Sequence, residues 1–159
     1  MHPVTAALAV LLVPAAILLA TQRPQGPDPS PDLSPAEVVQ VQVEALQAND
    51  EPHADAGIET AFRFASPSNQ AATGPLQRFA RMVKGPVYGD MLDFAWAEYG
   101  QIAVDGDQAA QRVTLHHEDG RRATYVFGLS RQEGGPYDGC WMTDGVARRP
   151  TPEAATTRI

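Results

Sequence analysis

A single cysteine, Cys140, stands among the 159 residues of this chain, so no disulfide can form within it and the fold must rest on its buried core. Lysine is nearly absent too: Lys84 is the only one, and arginine supplies the rest of 12 basic residues that 19 acids outnumber. The formal net charge of −7 provides no sequence-wide positive field for a phosphate backbone or anionic lipid heads, which sets nucleic acid aside as a partner. The two basic doublets, Arg121-Arg122 and Arg148-Arg149, read as solvated strand ends. Also missing are a glycine-rich loop between strand and helix, Cys/His spacing suited to a metal, and a serine in a nucleophile elbow. These gaps remove the common motif-bearing enzymes, and neither cofactor nor metal is expected.

What the chain does have is a long apolar run. Residues 4–20, VTAALAVLLVPAAILLA, carry no charge, and at 1.5 Å of rise per residue such a helix reaches about 26 Å, slightly short of a hydrocarbon core. A cleaved signal needs a basic start and a small-x-small site. Here only His2 and Pro3 follow the first methionine, and Leu18 and Leu19 precede Ala20. A retained anchor is therefore the first expectation, a removed signal peptide the second and a buried core helix the third. Pro14 is compatible with anchor and signal alike. Arg23, the one nearby basic side chain, is countered by Asp28 and Asp32 and marks orientation weakly. Export of the following domain is the expected outcome, because an apolar leader ahead of a soluble domain is the usual export signal. The arginine bias and abundant alanine point, by composition, to a GC-rich bacterium. The expected location is the cell membrane with the domain on the periplasmic side, or the periplasm if the leader is removed.

Proline and polar residues crowd 22–35, which reads as a stiff tether, and 148–159 reads as a flexible tail. Between them, 36–147 suffices for one domain with one core. Ser34-Pro35-Ala36-Glu37 is a capping-box start for a first helix to about Asn49, with Val38, Val41, Ala45 and Ala48 in a stripe flanked by Val39, Val43 and Leu46. A second helix is expected over 54–65, weakened by Gly57 and closed by Pro67, and a third from Gly74-Pro75 to Gly85-Pro86 carrying Leu76, Phe79, Ala80 and Val83.

From Met91 the period becomes two, with Leu92, Phe94 and Trp96 on one face of a first strand and Asp93 on the other. Gly100 bulges this strand before Ile102 and Val104, and Asp105-Gly106-Asp107 turns it back. A second strand over 109–117 and a third over 121–130 follow. If Glu118-Asp119-Gly120 is a three-residue loop, Val113 pairs with Tyr125 and Leu115 with Ala123, gathering Val113, Leu115, Ala123, Tyr125, Phe127 and Leu129 on one surface. Gly120 then takes the left-handed position. A fourth strand is expected around 140–146, after Gly134-Gly135-Pro136. The reading is α+β: an N-terminal apolar transmembrane or signal helix, then three helices packed on a curved four-stranded antiparallel sheet.

Several motifs carry a likeness. They are Phe64-Ala65-Ser66-Pro67 at the end of the second helix, Leu76-Gln77-Arg78-Phe79 with Met82 in the third, Pro86-Val87-Tyr88 ahead of the sheet, the return Gly106-Asp107-Gln108-Ala109, and the ending Trp141-Met142-Thr143-Asp144-Gly145. Over about 36–147 the chain resembles a bacterial and plant family defined by domain of unknown function 4864. The resemblance implies an NTF2-like, or cystatin-like, cone and supplies no activity. The family pattern places Cys after the final Asp-Gly, where this chain has Val146, so no thiol role carries over. Cones of this kind serve enzymes, ligand binders and interaction modules alike.

Candidate chemistry is sparse. His116 and His117 are strand neighbours that point to opposite faces and cannot readily share a metal. His117 and Asp144 are the only candidates for an acid or base in the cone, although Asp144-Gly145 also reads as a strand-end turn. Trp96, Tyr125, Phe127 and Trp141, with Tyr99, fit either a ligand cleft or the helix–sheet core. Cys140 reads as a buried small residue, since Asp138 and Asp144 give it no electropositive setting. The leading expectation is a non-enzymatic, exported or membrane-tethered binding module, in its specific form an accessory subunit of a membrane complex, that takes a membrane-associated protein partner or a small apolar ligand. The alternative is a small-molecule isomerase, dehydratase or hydrolase acting through His117 or Asp144.

Overall fold

A computed structural model describes residues 26–151. Among them no helix is long and apolar enough to cross a membrane, and the apolar run 4–20 lies outside the described residues. The domain is α+β, with four helices ahead of an antiparallel sheet of five strands.

Helix α1 (Pro35–Gln47) begins as its sequence dictates. Glu37 N–H donates to Ser34 Oγ at 3.3 Å, while Ser34 N–H donates to Glu37 Oε2 at 2.8 Å, closing the capping box behind Pro35. Its buried stripe is Val38, Val39, Gln42, Val43 and Leu46. Val41 is only partly buried and Ala48 is exposed, so the stripe sits one row round from Val38, Val41, Ala45 and Ala48. Helix α2 (Ala56–Arg63) is shorter than 54–65, and Gly57 explains how it packs. A Cβ there would stand 2.1 Å from the Ala45 carbonyl oxygen, so glycine lets the two helices cross at backbone contact. Buried Asn49 ties the crossing: its Oδ1 accepts from Ile58 N–H, and its carbonyl accepts from Gly57 N–H.

Pro67, expected to close the second helix, opens one instead. Helix α3 (Pro67–Thr73) starts with Ser66 Oγ accepting from Asn69 N–H, and buries none of its residues. Helix α4 (Leu76–Val83) buries Phe79 and Val83. Four helices therefore stand where three were expected.

A short 3-10 turn (Gly89–Met91) leads to the sheet. Asp93 takes a left-handed φ of 53°, so the chain changes direction there and β1 (Trp96–Tyr99) starts later than Met91. Phe94 faces the core, whereas Trp96 lies opposite His116 on the other face of the sheet. The first expected strand is two: β1 and β2 (Ala103–Asp105) both pair with β3 (Gln108–His116). Tyr99 opposes Val113 and Ala103 opposes Ala110, so one extra residue bulges out around Gly100.

Between β3 and β4 (Arg122–Arg131) the register is the one the three-residue loop requires, with Val113 opposite Tyr125 and Leu115 opposite Ala123. His117 N–H donates to the Arg121 carbonyl, and Gly120 takes φ +84°. Strand β5 (Trp141–Arg149) runs beyond the expected 140–146. Residues 64–66 lie along its free edge: Ser66 N–H donates to the Thr143 carbonyl, and Thr143 N–H to that of Phe64. The core lies between helices and sheet. Val38, Val43, Ile58 and Phe64 meet Val113, Leu115, Tyr125, Phe127 and Leu129 there, and full burial of each large side chain contributes roughly 1.5–3 kcal/mol.

Candidate functional site: an apolar cavity beside a bulge in β5

The helices do not fill the whole core-facing side of the sheet. A cavity of about 370 Å³ remains between α1, α2, α3 and α4 on one side and β4 and β5 on the other. Apolar side chains dominate it, among them Leu46, Phe79, Met82, Val83, Met91 and Phe127. The volume lies within the range of small-molecule sites.

Its polar groups come from Gln42 of α1, Ser68, Asn69 and Thr73 of α3, Tyr88, and Thr143 and Asp144 of β5. Opposite Gly128 stands Gly145, and opposite Leu129 stands Thr143, so Asp144 is an extra residue pushed out of the ladder. The bulge turns Asp144 toward solvent at the cavity wall, where no hydrogen bond or ion pair engages its carboxylate among the described residues. Thr143 beside it is a hub. Its hydroxyl accepts from Gln42 Nε2 at 2.8 Å and its carbonyl from Asn69 Nδ2 at 3.0 Å, joining α1, α3 and β5.

A further wall is segment 86–91, which a polar clasp fixes to β5. Asp90 accepts from Arg121 Nη1 and Arg148 Nη2, each at 2.7 Å. Arg148 also donates to the Pro86 and Val87 carbonyls and lies 5.8 Å from the centre of the Tyr125 ring. Tyr125 donates its hydroxyl to the Val87 carbonyl, and Tyr88 donates to that of Val146. Burial would raise the Asp90 carboxyl, but the Arg148 and Arg121 hydrogen bonds outweigh it and hold the group below its ordinary value. Burial pushes the Tyr125 phenol up to about 12.

Of the residues singled out in the sequence, Phe127 and Asp144 line this cavity. Tyr125 and Trp141 are buried in the core outside it. Trp96, 54% exposed, stacks on His116 across β1 and β3 with ring centres 3.6 Å apart, and Tyr99 sits on the same edge strand. His117 is held at the clasp, its Nε2 3.1 Å from the Asp90 carbonyl oxygen, and does not share the cavity with Asp144. Cys140 is buried, and burial with the nearby Asp138 charge raises its thiol.

Sequence reasoning missed Gln42, Asn69, Tyr88 and Met91. Gln42 was detectable as the one polar residue in the apolar stripe of α1, and Asn69 as the third residue after the Ser66-Pro67 start. Among the described residues no group of three His, Cys, Asp or Glu side chains is placed to hold a metal ion. No curated protein and no solved structure matches the chain. A family model does match, over residues 32–156 and thus most of the chain, and its description is a domain of unknown function: the chain belongs to the DUF4864 family.

Proposed function

We propose that this protein is a non-enzymatic binding module, exported or held at the membrane through residues 4–20, that receives a small, mainly apolar ligand inside an NTF2-like cone. The observation that carries this reading is the cavity itself: apolar walls, a volume of about 370 Å³ and, among the described residues, a single carboxylate at its edge. Acid–base catalysis is the weaker reading, because a reacting group there would meet Asp144 without an imidazole beside it. The location on the periplasmic side and a membrane-associated protein partner belong to the same proposal and rest on the apolar leader.

Exposed Ala72 of α3 lines the cavity, so Ala72→Trp should plug it without disturbing the core. Thermal melts of the wild type with straight-chain alcohols should rise in Tm as alcohol is added, and the plugged variant should not respond. An equal response from both proteins would place the binding elsewhere. For the partner, gentle solubilisation of membranes carrying the full chain should retain a stable complex, and recovery of the chain alone would remove that part of the proposal.

A further inference from the structure

Resting on the cavity reading above, we infer that the ligand carries a protonated amine, with Asp144 as the group that receives it. Most side-chain donors lining the cavity are engaged by the protein, and the Ser68 hydroxyl lies 3.0 Å from Ser66 Oγ. Gln42 Nε2 donates to the Val38 carbonyl and to Thr143 Oγ1, and Asn69 Nδ2 donates to the Thr143 carbonyl. Thr73 and Tyr88 give their hydroxyl protons to the Asn69 and Val146 carbonyls. What remains open is chiefly an acceptor, the Asp144 carboxylate that the bulge lifts out of β5.

Among the described residues no basic side chain lines the cavity. The nearest arginine on the same strand, Arg148, is bound to Asp90, so a carboxylate or phosphate ligand would find no counter-charge and would face the charge of Asp144. A ligand with an ammonium head meets the opposite situation. Its head pairs with Asp144 at the solvent-open edge, where neither ion has to be fully dehydrated, and its apolar part enters among Phe79, Met82, Met91 and Phe127. The volume corresponds to about twelve water molecules at roughly 30 Å³ each, which suits an amphiphile of on the order of ten non-hydrogen atoms.

Three probes with the same ten-carbon chain separate the head group from the tail: decylamine, 1-decanol and decanoate. Calorimetric titration of the wild type should give decylamine about tenfold tighter than decanol, with decanoate weakest. Asp144→Asn, an exposed change, should bring amine and alcohol to equal affinity while leaving the alcohol unchanged. If amine and alcohol already bind equally to the wild type, or decanoate binds best, the amine inference is overturned while the cavity reading stands. If none of the three binds, both fall. Retention of the amine preference in Asp144→Asn would also overturn the role given to this residue.

Discussion

Two walls of the cavity are built by different means. Segment 86–91 is clamped by a carboxylate shared between Arg121 and Arg148 and by two tyrosine hydroxyls that reach backbone carbonyls. By contrast, α3 buries no residue and is held by neutral hydrogen bonds: the Ser66 cap, Asn69 to the Thr143 carbonyl, and Gln70 to the Phe62 and Ala65 carbonyls. Charge-assisted bonds are about twice as strong as neutral ones, and elements with few buried contacts open at low free energy. The clasp is thus the fixed jaw and α3 the yielding one, which makes the α3 side the expected entrance.

That contrast can be broken at several strengths. Phe127→Ala removes an aromatic shared by core and cavity and should lower stability by about 3–5 kcal/mol, read from urea denaturation. Asp90→Asn should cost about 1–2 kcal/mol, since it weakens two partly exposed charge-assisted bonds at once. It should also raise hydrogen exchange in 86–91 and leave α3 unchanged. Because the folded Asp90 carboxyl is lowered, the clasp contributes fully above the unfolded carboxyl value of about 3.9 and is lost as pH falls through the lower folded value. Stability measured from pH 6 down to pH 2 should therefore decline less steeply in Asp90→Asn than in the wild type. Ser66→Ala should cost about 1 kcal/mol or less, and should appear as faster exchange in α3 with the clasp intact. Equal protection of both walls in the wild type would remove the asymmetry.

The same contrast marks how much of the molecule was legible beforehand. Helix α1 and helix α3 share a Ser-Pro start, but only α1 has an apolar stripe behind its cap. A reading based on periodicity finds the first and passes over the second. The β3–β4 register was readable because one loop length alone places Val113, Leu115, Tyr125 and Phe127 on one surface and puts Gly120 where a left-handed residue belongs. Period two failed at Phe94 and Trp96 because the strand does not begin until Trp96, after the left-handed Asp93. Within the site, Phe127 and Asp144 were named from sequence. Neither the bulge that isolates Asp144 nor the clasp that takes His117 elsewhere has a local sequence signal, because both depend on which residues face each other across strands. Gly57, read as a weakness in a helix, proved to be the condition for its packing.

Three methionines among the described residues allow the most direct test. Met82 and Met91 line the cavity, while Met142 is fully buried outside it and serves as an internal control. With methyl-labelled methionine, titration of 1-decanol followed by NMR should move the Met82 and Met91 methyl signals saturably and leave Met142 in place. Unmoved Met82 and Met91 signals, or a shift confined to Met142, would contradict the account.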